Sequence, residues 1–192
     1  MRDQRLQIAR SLPERGNVDV VGLQPPYFPA SFGSMKAKLD FTNGIPMVKH
    51  IGAAEITPVP LSHPNGGYGF RIAEEGKTLV FLTDNEPGYD HPGSRAWYEY
   101  VNFCRDADLL IHDAQYTDQE YQRTEGWGHS TYAVAVELAI QARVKRLCLF
   151  HHHPDHSDAF LDSMLAASRA LISGRHRAVD CFLAAEGVNT SV

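Results

Sequence analysis

Apolar positions along the chain fall into short runs whose spacing changes near residue 84. Before it, Ile56 to Leu61 reads as a strand near a sheet edge, because prolines interrupt it. Tyr68 to Ala73 and Thr78 to Thr83 read as two further strands, and Glu74-Glu75-Gly76-Lys77 between them predicts a hairpin turn. After it, strands and helices alternate. Arg95 to Cys104 predicts a helix and Asp108 to His112 a short buried strand. Ser130 to Arg143 predicts a helix with Ser130 as N-cap, Arg146 to Phe150 a buried strand, and Asp158 to Ile172 another helix. Ala178 to Ala185 predicts a last strand. Such alternation implies parallel pairing and an α/β fold. The polar, arginine-rich stretch from Met1 to about Asn17 is compatible with a helix ending at Gly16-Asn17. Pro25-Pro26-Tyr27-Phe28-Pro29 forbids a regular element and predicts a packed loop.

Polar clusters follow four of these strands: Ser62-His63-Pro64, Thr83-Asp84-Asn85, His112-Asp113-Ala114 and His151-His152-His153-Pro154-Asp155-His156. A fifth, Gly128-His129-Ser130-Thr131, opens a helix. Strand ends of α/β folds converge on sites, and histidine with aspartate suits zinc, manganese or iron. Each cluster also has a plain structural reading: His63 as a loop residue, Asp84 as a turn former, His129 as a neighbour of the helix cap, the histidine run as a surface tract. Five such clusters in one short chain favour the chemical reading.

Composition narrows the partners. The formal net charge of −5 argues against broad binding to nucleic acid, which needs a basic surface. Cys104, Cys148 and Cys181 are odd in number and far apart, as expected of free thiols in the cytoplasm. No apolar run reaches the ~18 residues of a membrane span, and the N-terminus carries no signal-peptide core.

Several of these segments resemble a known family. Leu61-Ser62-His63-Pro64-Asn65-Gly66-Gly67-Tyr68-Gly69-Phe70-Arg71-Ile72 resembles the third metal-binding motif of metallo-β-lactamase-fold hydrolases, and Leu79-Val80-Phe81-Leu82-Thr83-Asp84 resembles the fourth. Gly128-His129-Ser130-Thr131, the alanine-rich helix after it and Leu147-Cys148-Leu149-Phe150-His151 resemble the signature of the ribonuclease Z and phosphodiesterase branch, and the Pro-Pro-Tyr-Phe-Pro loop resembles one found in bacterial members. The resemblance implies a metallo-β-lactamase-like αββα sandwich, of which these residues form the C-terminal portion. It implies two divalent metal ions, zinc first, with manganese and iron as alternatives. It assigns His63 to one ion, His151 (alternate His152) to the other, and Asp84 to both as a bridge. It makes His129 the catalytic histidine acting on the phosphate and Asp113 the carboxylate that orients it.

The family also carries a His-x-His-x-Asp-His motif before the Pro-Pro-Tyr-Phe-Pro loop. Here about two dozen residues precede that loop, and the first histidine is His50. The resemblance therefore implies a single partial domain over residues 1–192, with 1–21 as an unassigned N-terminal segment and the first β-layer and its four ligands missing. The expected protein is a metal-dependent hydrolase of a small phosphodiester, inactive or weak as this chain. The alternative is a degenerate, non-catalytic member of the fold that binds a ligand or partner. No insertion resembles the long substrate-gripping arm of ribonuclease Z, so a small-molecule substrate is expected, with nucleic acid an unlikely partner and no membrane. A sheet face left uncovered would favour a homodimer.

Overall fold

The computed structural model describes the backbone of Leu6–Arg10 and Leu39–Asn43 and all of residues 47–192. The chain divides into two compact units, Met1–Met47 and Val48–Val192. In the first, β1 (Leu6–Arg10) pairs in parallel with β2 (Leu39–Asn43). The helix expected over Met1 to Asn17 is therefore corrected at residues 6–10. Leu6-Gln7-Ile8 and Leu39-Asp40-Phe41 alternate with the period of a strand, and pairing overrides the arginine-rich composition. The Pro-Pro-Tyr-Phe-Pro loop lies outside the described residues.

The second unit is built on one seven-stranded sheet: β3 (Lys49–Ile51), β4 (Ala54–Pro60), β5 (Tyr68–Glu74), β6 (Lys77–Leu82), β7 (Leu109–Asp113), β8 (Arg146–Phe150) and β9 (Asp180–Leu183), in that order across the sheet. The first four pair antiparallel and β6 to β9 pair parallel. The hairpin between β5 and β6 closes through Glu75 and Gly76, with φ of +49° and +76°. Two positive values match the tight turn that follows the right-handed twist of paired strands.

Helices α1 (Trp97–Cys104), α3 (Tyr132–Ala142) and α4 (Asp158–Gly174) carry the three parallel crossovers. Such crossovers are almost always right-handed, and with strands taken in order across the sheet this lays all three helices on one face. The contacts agree: α1 packs on α3, and α3 on α4, β7 and β8. Val80, Leu110 and Leu147 form one buried row across the strands, and Leu82, His112 and Leu149 the next. They meet Tyr100, Val101 and Cys104 of α1 and Ala135, Val136, Leu138 and Ala139 of α3. On the other face Phe70 and Phe81 pair across β5 and β6, and Phe70 is 36% exposed.

Two expectations shift. The N-cap of α3 is Thr131, whose side chain accepts from Val134 N at 3.2 Å. Ser130 is displaced from that role because its hydroxyl donates to the carbonyl of Asn85 at 2.6 Å. The three-residue β3 and the single turn α2 (Asp118–Tyr121) are too short for periodicity to mark. Among the described residues no helix is long and apolar enough to cross a membrane.

Candidate metal centre

Strand direction explains the convergence of the polar clusters. β4 runs antiparallel to β5, and β5 to β6, so β4, β6, β7 and β8 all end at the same edge of the sheet. His63 follows β4, Asp84 follows β6, Asp113 closes β7 and His151 follows β8. Asp84 and His151 both take a φ of +57°. Aspartate and histidine enter this left-handed region more readily than most residues, yet at a cost of about 1 kcal/mol or more. Each turn swings its side chain off the strand end and into the cluster.

Asn85 ties three of the loops together. Its Oδ1 accepts from Ser62 N at 2.9 Å, its carbonyl from the Ser130 hydroxyl, and its Nδ2 lies 3.2 Å from His112 Nε2. His112 donates from Nδ1 to the carbonyl of Asp113 at 2.7 Å, so its Nε2 accepts from Asn85. Fully buried, His112 is held below its ordinary value of 6.5 by that burial. It is a neutral strut behind the site.

The reactive groups lie in front of it. Asp113, wholly buried, accepts from His129 Nδ1 at 2.7 Å through Oδ2, and its Oδ1 accepts from Ser130 N and Gln115 N at 3.1 and 3.2 Å. The structure thus brings Asp113 and His129 together. Burial pulls the His129 pKa down, but the hydrogen bond and charge of Asp113, with Asp84 and Glu86 behind them, outweigh it and leave His129 raised above 6.5. The His129 ring stacks on His151, centroids 4.9 Å apart and planes 14° from parallel, and lies 5.6 Å from His63. Asp84 Oδ1 is 3.3 Å from His151 Nε2. Burial, and then His129, lower the His63 pKa, which keeps its imidazole neutral and able to coordinate.

Two sets of side chains bring ligand atoms within 4.8 Å of one another: His63 with Asp84 and His129, and Asp113 with His129 and His151. His63, Asp84 and His151 lie close around His129, with Asp84 between the other two. The donors are imidazole nitrogens and carboxylate oxygens, the set that borderline divalent ions take. These residues therefore fit a metal centre. His152 is in neither set; it is partly buried, and neither ring nitrogen has a hydrogen-bond partner. His156 pairs with Glu120 at 2.7 Å, and His153 Nδ1 accepts from Asp155 N.

Sequence reasoning missed Glu86. Its side chain is buried, and its carboxylate accepts four hydrogen bonds. Oε1 takes Tyr121 Oη at 2.5 Å and Gly126 N at 2.7 Å; Oε2 takes Gly128 N at 2.7 Å and pairs with His91 Nε2 at 2.8 Å. It clamps the loop that delivers His129. Gly128, at φ +93°, has no room for a side chain: a Cβ there would lie 2.1 Å from His63 Cδ2. The available signal was the acidic residue two places beyond Asp84, in a run otherwise taken only as far as Asn85.

The model of the Beta-lactamase superfamily domain matches residues 36–152. Ribonuclease Z of Brevibacillus brevis is 36% identical over 85 residues, 44% of this chain and 24% of that protein. Ribonuclease Z of Sulfurisphaera tokodaii is 38% identical over 100 residues, 52% of this chain and 30% of that one. The chain thus spans between about a quarter and a third of the length of these curated relatives. Among solved structures, the metallo-β-lactamase fold protein YhfI of Bacillus subtilis superposes with a TM-score of 0.60 at 20% identity, covering 81% of this chain and 57% of that one. A diphosphatase of the PhnP family superposes at 0.56 and 19% identity, covering 84% and 52%. The sheet and its helix layer have the metallo-β-lactamase fold.

These relatives overturn one expectation. Net charge and the absence of a substrate-gripping arm make nucleic acid an unlikely partner, yet the matching proteins are ribonucleases by name. A charge of −5 is a sum over the whole surface. It does not describe the field at a site where bound cations would be the largest local charges.

Proposed function

This chain belongs to the β-lactamase superfamily, and from that premise we propose that it is a metal-dependent hydrolase acting on phosphodiester bonds of RNA. The observation that carries the proposal is the buried Asp113 hydrogen-bonded at 2.7 Å to His129, beside His63, Asp84 and His151. Similarity to proteins named ribonuclease Z supports RNA as the substrate class.

His63 and Asp84 would hold one ion and Asp84 and His151 the other, with zinc first and manganese or iron as alternatives. Bound there, such ions supply an activated water and a counter-charge for the phosphate. The chain's own residues handle the proton. Asp113 accepts a hydrogen bond from His129 Nδ1–H, which fixes the ring and leaves Nε2 free for the substrate. The raised pKa favours the protonated imidazole, which would give its proton to the leaving oxygen as the P–O bond breaks. Two donors per ion fall below the three that a catalytic zinc ordinarily keeps, so turnover by these residues alone is expected to be slow. The three buried, free cysteines support a reducing, cytoplasmic setting.

One observation favours a second arrangement: His129 lies close enough to His63 and Asp84 to serve as a third ligand to a single ion. The same experiment separates the two. With zinc or manganese, the chain should cleave single-stranded RNA, and EDTA or Asp84→Ala should stop it. His129→Ala should lower the rate by about 10²–10⁴-fold with metal content retained if the residue is an acid, and should lose the ion if it is a ligand. Cleavage that survives both EDTA and Asp84→Ala would refute the metal-dependent reading.

A further inference from the structure

Beside the metal centre lies a cleft of about 280 Å³ lined by Tyr116, Gln119, Glu120, Arg123, Thr124 and His153. The proton-handling residues leave it unused. The Tyr116 ring joins it to the centre, standing 6.2 Å from the His129 ring and 5.9 Å from that of His153.

The polar atoms of this wall differ in what they have left to give. Both oxygens of Glu120 are committed, Oε2 to the amide and hydroxyl of Thr117 and Oε1 to His156. Those bonds hold its carboxyl below the ordinary range against the opposing pull of burial. Arg123 is the reverse: its side chain is exposed and makes no hydrogen bond or ion pair among the described residues. His153 Nδ1 accepts from Asp155 N at 3.2 Å, so the neutral ring carries its hydrogen on Nε2. The cleft therefore offers the His153 ring beside the nearly buried Tyr116, and unspent donors, while both oxygens of its one carboxylate are engaged by Thr117 and His156.

Rings for stacking and a guanidinium for phosphate are what a single-stranded nucleic acid needs. The volume is near the lower limit of roughly 300 Å³ for small-molecule sites, which suits one nucleoside unit. We propose that this cleft is a nucleotide subsite, which seats one residue of an RNA strand next to the bond to be cut. The base lies on the His153 ring, beside the nearly buried Tyr116, and the adjoining phosphate on Arg123. This rests on the RNA-hydrolase reading above and adds where the substrate strand is gripped.

The test is a calorimetric titration of the 192-residue chain with adenosine 5′-monophosphate, ribose 5-phosphate and inorganic phosphate. EDTA is present throughout, so that no ion at Asp84 can hold the phosphate. The nucleotide should bind at least about tenfold more tightly than ribose 5-phosphate, the difference being base stacking. Arg123→Ala and His153→Ala should each weaken it by about tenfold. Arg143→Ala, at the far end of α3 and paired with Asp106, should leave it unchanged. Equal binding of the nucleotide and inorganic phosphate, or wild-type affinity in both cleft variants, would overturn the subsite. The titration needs no turnover. A chain that binds the nucleotide here but cleaves no RNA would sink the hydrolase reading and uphold the subsite. A chain that cleaves RNA while its nucleotide affinity ignores Arg123 and His153 would do the opposite.

Discussion

His112 is fully buried and His129 partly buried, both near one carboxylate, and their proton affinities are pushed in opposite directions. His129 has the Asp113 carboxylate on its Nδ1 and is raised; His112 has only a backbone carbonyl and the Asn85 amide and is lowered. The consequences for stability have opposite signs. The His129–Asp113 contribution is complete below about pH 6.5 and is lost as pH rises through the His129 titration. His112 works the other way: the folded state resists its protonation, so stability declines as pH falls below about 6.5. Proton NMR of the metal-free chain should place the His129 midpoint above 6.5 and move it down in Asp113→Asn. A midpoint at or below 6.5 in the wild type would mean that Asp113 does not hold the proton there. Asp113 and His129 were both readable in the sequence, because each stands at the edge of a strongly patterned element. Glu86 was not. Its role depends on two backbone amides and two ring side chains brought in from residues 126, 128, 91 and 121, and no spacing in the sequence encodes that meeting.

At the scale of elements, the loop from Gly126 to His129 is the part on which the site depends most. Glu86 presents one oxygen to each of two backbone amides, Gly126 N and Gly128 N. A glutamine there must turn its NH2 toward one or the other, since Tyr121 and His91 can reorient their hydrogens but an amide cannot. Glu86→Gln should therefore cost about 1–3 kcal/mol of stability through an unmet buried donor, read by urea denaturation. A change under about 0.5 kcal/mol would show that the clamp is not structural. The regular elements were legible because their patterns are strong. The β5–β6 hairpin announced itself through Glu75-Gly76, and β7 and β8 through unbroken apolar runs. The edge strand β3 was not legible: it has three residues, all exposed, and its structure comes from pairing with β4. Residues 6–10 misled for a related reason, since arginine content spoke for a helix and the pairing with β2 prevailed.

On the scale of the whole molecule, direction does what composition cannot. Four strands that finish at one edge bring His63, Asp84, Asp113 and His151 together from positions spread over nearly ninety residues of chain. Periodicity predicted those strand ends, and the parallel order of β6, β7 and β8 turned them into one site. Net charge misled because it averages over surfaces that the substrate never meets. The central claim is that these strand ends form a metal centre around Asp84, and crystals of the chain soaked in millimolar Mn²⁺ test it most directly. Anomalous scattering should show density within about 2.0–2.3 Å of an Asp84 carboxylate oxygen, with His63 or His151 completing the contact. The same soak of Asp84→Ala should show none there. Anomalous peaks confined to His153, His156 or His176, with nothing at Asp84, would contradict the account.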